Sequence, residues 1–185
     1  VPARMAGSGT RRMNQAESEK HRPADEATQY SRFDTAAEFQ LAVDRLLDQS
    51  GRELRIFDPD MVAFRLNSAE RVDRLRDFLL ASRTRRLDLV VHDTAHITRH
   101  CPRMLQLLAR YSHVIRIHQT DESIRELQDS FAVLDARHYL RRPVARFFRG
   151  ALGIDDEPEA LGMRSRFMEI WSASFPAVSS ATTGL

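Results

Sequence analysis

Apolar side chains recur at helical spacing in some stretches of this chain and in short continuous runs in others, and the two kinds alternate. Phe39, Ala42, Val43, Leu46 and Leu47 share one helical face, with Thr35 and Glu38 spaced as a capping box and Ser50-Gly51 placed to stop the helix. A short strand is predicted over residues 54–57, cut by Asp58-Pro59-Asp60 because proline cannot continue a central ladder. Asn67, with Glu70, is expected to cap a second helix that buries Val72, Leu75, Phe78 and Leu79 and turns Arg71, Asp73, Arg74, Arg76 and Asp77 to water. The run at 87–91 is the most apolar strand and ends in His92-Asp93. Residues 94–101 are expected to be irregular, because Pro102 belongs in the first turn of a third helix carrying Met104, Leu105, Leu107, Leu108 and Tyr111. Residues 114–118 form the next strand. Strands alternating with helices across short connections predict right-handed crossovers and a parallel sheet.

Beyond a polar connection the style changes to consecutive strands. An apolar run over 130–135, a reversal at Asp135-Ala136-Arg137 and a returning strand over 138–142 read as a hairpin, and a further strand is expected over 145–154 after Pro143. These add antiparallel strands to the parallel set. Asp155, Asp156, Glu157 and Pro158 open a last helix, with Phe167, Ile170, Trp171 and Phe175 expected to pack on the sheet. Residues 1–32 have little to bury and are expected to be disordered or a linker, and 176–185 a flexible tail. One α/β domain is left, over 33–175.

With hairpin and crossovers in place, the chain resembles the phospholipase D-like superfamily. That family's signature is a His, a Lys two residues on and an Asp five beyond. If Asp135 is that Asp, the Lys position falls on Ser130 and the His position on Gln128. The order of elements and the Phe167-x-x-x-Trp171 ending resemble one half of such a unit, and the Ile56–Asp60 and His100–Pro102 segments resemble an uncharacterised bacterial domain group of the same superfamily. The resemblance implies a phospholipase D-like mixed sheet, parallel crossover strands plus an antiparallel hairpin, flanked by helices. It also implies a homodimer, since single-unit members pair to assemble two motifs. Enzymes of the family attack a phosphodiester with an imidazole, protonate the leaving group with a second His and steady the charge on phosphorus with Lys. An amide and a hydroxyl at the corresponding positions can do none of this, so the expectation is a degenerate, non-catalytic binding or interaction module.

Composition narrows the classes little further. The 185 residues are 42% hydrophobic, enough for one core, and 28 Lys+Arg against 26 Asp+Glu leave a net charge of +2, so bulk charge specifies no partner. Cys101 stands alone, which excludes an internal disulfide and a CxxC site and fits a reducing cytoplasm. No run is long and apolar enough to span a membrane, so no membrane partner is expected, and no cofactor either.

Two alternatives to the binding module come from the residues themselves. Asp58, Asp60, His92, Asp93 and His118 fall at or just past the carboxyl ends of the predicted parallel strands, where open α/β sheets bind ligands. With Gln128, Ser130 and His138 they form a candidate ligand-binding set, and converging carboxylates and imidazoles would suit a Zn, Mn or Fe enzyme. Arg137, Arg141, Arg142, Arg146 and Arg149, interleaved with Tyr139, Phe147 and Phe148, are candidate phosphate contacts for a nucleic acid. Strand alternation divides them, Arg142 and Arg146 having the opposite parity from the rest. His96 and His100 have the spacing of helical metal ligands, but on this reading the helix begins too late to hold both.

Overall fold

A computed structural model describes residues 28–179, so the linker and tail expectations for 1–27 and 180–185 lie outside the described residues. Its centre is one eight-stranded mixed sheet in the order β1-β7-β6-β5-β2-β3-β4-β8. The parallel part is β2 (Glu53–Phe57), β3 (Arg86–Val91) and β4 (Ile115–Thr120), joined by helical crossovers as expected. The hairpin of β5 (Ser130–Leu134) and β6 (His138–Arg142) pairs antiparallel with β2 and continues into β7 (Gly150–Ile154). Two edge strands were not expected. β1 (Gln29–Phe33) lies in the stretch read as linker, and β8 (Ser174–Val178) takes up the end of the domain and the start of the tail.

Helices α1 (Ala36–Leu47), α2 (Ala69–Leu80), α3 (Ala95–His100) and α4 (Pro102–Arg110) belong with one face of the sheet, and α5 (Glu157–Ser172) alone packs on the other. Strand alternation assigns the residues. Leu54, Ile56, Leu87, Leu89, Ile115 and Ile117 are buried on the first face, while Phe57, Val90, Phe131 and Val133 meet Phe167 and Ile170 of α5. Each such side chain contributes about 1.5–3 kcal/mol on burial, so the two clusters dominate the stability.

Local readings divide. The Thr35–Glu38 capping box forms in both directions, and Pro102 stands in the first turn of α4. Ser68, not Asn67, caps α2, because the Asn67 carboxamide instead accepts the backbone N–H of Arg103. Arg71 is buried rather than wet, its guanidinium 2.9 Å from Asp44 of α1 and bonded to Gln40. Gly51 does not stop α1 with a positive φ. It is required by close approach, since a Cβ there would lie 2.4 Å from Leu134. Phe175, expected against the sheet within the last helix, is 48% exposed on β8.

Candidate functional site

The carboxyl ends of β2, β3 and β6 and the amino end of β5 meet at one edge of the sheet. There Asp58, Ser130 and Arg142 converge, each no more than 2% exposed. Hairpin register sets Ser130 opposite Arg142, and β2 delivers Asp58 beside them on the same face. Arg142 Nη2 donates to Asp58 Oδ2 at 2.6 Å and to Ser130 Oγ at 3.0 Å, and Nη1 donates to the Ala145 carbonyl at 2.6 Å. The guanidinium carbon lies 4.5 Å from the Phe39 ring centre and 5.7 Å from that of Phe148, so aromatic faces close the pocket. The other oxygen of Asp58 accepts the N–H groups of Asp60 and Met61, at 3.1 and 2.7 Å. That clamp holds Met61 at φ 63°, a left-handed conformation disfavoured for such a side chain. Burial pushes the Asp58 carboxyl up, opposed by the Ser130 hydroxyl, Arg142 and the two N–H groups. It likewise pulls the Arg142 guanidinium down, against the attraction of Asp58.

Gln128 is exposed and lines a cavity of about 470 Å³ with Asp129, Arg141 and Arg166, whereas Ser130 is sealed against Arg142. The two motif positions therefore do not act on one space. Asp135, the residue that fits the motif, sits in the turn at the far end of the hairpin with φ 57°. Its carboxylate accepts the backbone N–H groups of Arg52 and Glu53, tying the turn to β2. His138 is also at that far end, where Nδ1 accepts the Asp155 N–H at 3.1 Å, so it is no part of this edge.

The expected Asp and His cluster does not assemble. Ile56 pairs with Leu89, so Asp58 continues the helical α1 face while His92 continues the α5 face. His92 is held by Thr120 Oγ1 and the Leu127 carbonyl, both at 2.7 Å. Asp60 accepts the Val62 N–H and Asp93 the Ala95 N–H, each in a tight turn. His118 stacks on Trp171, ring centres 3.6 Å apart, with Nδ1 3.1 Å from Ser174 Oγ. Among the described residues, no group of three or more His, Cys, Asp or Glu is placed to hold a metal ion. His96 and His100 do share α3, correcting the irregular stretch expected there, and their ring centres are 5.6 Å apart.

The arginines also separate. Residues 143–149 are not strand, which leaves Arg146 and Arg149 exposed on the loop leading to β7. Arg137 pairs with Asp155 at the hairpin turn, Arg141 faces Glu159 of α5 at 3.4 Å, and Arg142 is internal. No described helix is long and apolar enough to cross a membrane.

The His118 contacts carry a pH dependence. Burial, reinforced by Arg116, pulls its pKa below the ordinary value, with Asp88 opposing. The unfolded chain therefore takes up this proton first as pH falls below about 6.5. The contribution is complete above that pH and is lost as pH falls toward the folded value. Melting temperatures followed from pH 8 down to about pH 5 should accordingly fall less in His118→Gln than in the parent. Parallel curves would remove His118 as a cause.

Comparison with solved structures finds this fold in proteins of low sequence identity. The archaeal chromatin protein TrmBL2, whose structure is described as showing a novel mode of DNA binding, aligns with TM-score 0.57 and 12% identity over 83% of this chain and 56% of its own. This chain thus spans little more than half of that protein. Nuc from Salmonella typhimurium, a phospholipase D family member, aligns with TM-score 0.56 and 10% identity over 83% of this chain and 99% of its own. NucT from Helicobacter pylori gives TM-score 0.51 and 13% identity over 82% and 100%. The mixed sheet and its flanking helices are therefore phospholipase D-like. No curated protein matches the chain. A family model matches residues 35–179, nearly the whole described fold, and the chain belongs to the family described as Domain of unknown function (DUF7931).

Proposed function

We propose that this chain is a degenerate, non-catalytic phospholipase D-like domain that works as a binding or interaction module. The observation that carries this reading is the sealed Asp58–Ser130–Arg142 pocket: the cation at the motif edge is buried and already neutralised, and Ser130 bonds to it instead of facing solvent. Gln128 has no proton to relay, and its amide reaches the Arg125 carbonyl at 3.4 Å. Losing nucleophile and electrostatic clamp together removes many orders of magnitude of rate. Purified protein is expected to hydrolyse bis(p-nitrophenyl) phosphate no faster than buffer. Turnover that disappears in Gln128→Ala or Ser130→Ala would overturn the reading. Pairing of two copies through this edge belongs to the same proposal, because Val62, Val144 and Phe147 stand exposed around it. A dimer is expected on gel filtration at micromolar concentration, and a monomer would remove that part.

Nucleic-acid binding is the second reading, favoured by the edge loop. Arg146 is exposed there, with its guanidinium carbon 4.6 Å from the ring centre of the 52% exposed Phe147, a pairing suited to a phosphate and a base. Labelled single- and double-stranded DNA and RNA, titrated at two salt concentrations, decide it. Binding that weakens with salt and is lost in Arg146→Ala is expected, and no binding at low salt ends the idea.

A further inference from the structure

On the second face of the sheet, α5 packs against β6, β5, β2, β4 and β8 but not in force against β7 or β1. Register determines what stands on the uncovered strands. Arg32 is opposite Ala151, and Ala151 is in turn opposite Arg141. Two arginines thus flank one alanine, with backbones roughly 10 Å apart at two strand spacings. Two residues along, on the same face, Tyr30 is opposite Gly153 and 55% exposed, with the Arg32 guanidinium carbon 6.0 Å from its ring centre. A cavity of about 630 Å³ opens here, lined by Tyr30, Arg32, Arg141, Arg149 and Ala151 among others. Its cations are not locked away. Arg141 meets Glu159 at 3.4 Å and Arg149 meets Asp34 at 3.1 Å, both exposed pairs that contribute little and exchange readily.

The lining specifies a ligand. Alanine on the floor lets a flat group approach the strands, and Tyr30 offers a π face for stacking. Guanidinium forks match phosphate oxygens two at a time. The volume falls within the roughly 300–1,000 Å³ of small-molecule sites and exceeds what a bare phosphate fills. An uncharged ring would leave the arginines unused, and a bare anion would leave the tyrosine unused. We propose that this trough binds a nucleoside phosphate, with the base on Tyr30 and the phosphate between Arg32 and Arg141. A free mononucleotide and an unstacked nucleotide of a single strand present the same chemistry. The site lies on the sheet face, away from the Asp58–Arg142 edge, and does not depend on whether that edge is catalytic.

The test titrates 2′-deoxyadenosine 5′-monophosphate and a short single-stranded DNA into the full chain, following binding calorimetrically. Saturable binding is expected, weakened about tenfold or more in Arg32→Ala and in Arg141→Ala. It should be lost in Ala151→Glu, which sets a carboxylate on the floor. Circular dichroism confirms that each variant is folded, and Arg32→Ala serves if Ala151→Glu is not. Binding of the mononucleotide identifies the free ligand as sufficient. Binding of the DNA alone, still lost in Ala151→Glu, supports the trough with the strand as source. DNA binding that falls in Arg146→Ala but survives Arg32→Ala and Ala151→Glu would overturn the trough in favour of the edge loop. Failure of both probes to bind folded protein would overturn it outright.

Discussion

Replacing Arg142 with methionine is expected to destabilise the fold by about 3–5 kcal/mol, the usual cost of breaking a buried pair from one side. The substitution leaves Asp58 1% exposed, without its 2.6 Å cationic partner and too enclosed for water to replace it. It also strips a donor from Ser130 and from the Ala145 carbonyl, which anchors the loop leading to β7. Neutralising the carboxylate as well should reverse most of this. In Asp58→Asn with Arg142→Met the amide oxygen can still accept the N–H groups of Asp60 and Met61, so the Met61 turn stays clamped. The double variant is expected within about 2 kcal/mol of the parent, since apolar replacement of a whole buried pair is often neutral. Urea unfolding midpoints with matched slopes measure both. A loss below about 1 kcal/mol for Arg142→Met alone would mean that the pair is solvated and the pocket open.

The hairpin and crossover strands were legible because their signals are local. Leu54 to Phe57, Leu87 to Val91 and Ser130 to Leu134 are dense apolar runs, and Asp135 tolerates the positive φ that the turn demands. The partnership of Ser130 and Arg142 is legible too. A reversal centred on Ala136 places them opposite, although charge alone makes Arg142 a candidate phosphate contact. The fate of the strand-end cluster needed information that no single segment contains. Whether Asp58 and His92 share a face depends on the Ile56–Leu89 register between β2 and β3, and a shift of one residue would have brought them together. Edge strands β1 and β8 carry weak patterns because much of each is exposed: Tyr30 and Phe175 look outward, and Pro176 argues against a ladder although an edge position admits it. Likewise α3 is only six residues long, too short for periodicity to register before Cys101 and Pro102 interrupt it.

Placing a lysine at position 130 should harm this protein. Ser130 is 1% exposed and its hydroxyl lies 3.0 Å from Arg142 Nη2, so Ser130→Lys would press an ammonium against a guanidinium that already holds the neighbouring carboxylate. Two cations would share Asp58 in a pocket closed by Phe39 and Phe148, and the added methylenes would overpack it. A loss of more than about 3 kcal/mol is expected, enough to exhaust much of a domain's stability. Removing the arginine as well, in Ser130→Lys with Arg142→Ala, frees both volume and carboxylate, and the double variant should exceed Ser130→Lys alone by more than about 2 kcal/mol. Additive losses around this cycle, measured by urea unfolding, would show the two positions to be independent and defeat the argument. Coupling of that size would mean that serine at 130 and arginine at 142 act as one unit: the edge accommodates a single buried cation, and β6 rather than β5 supplies it.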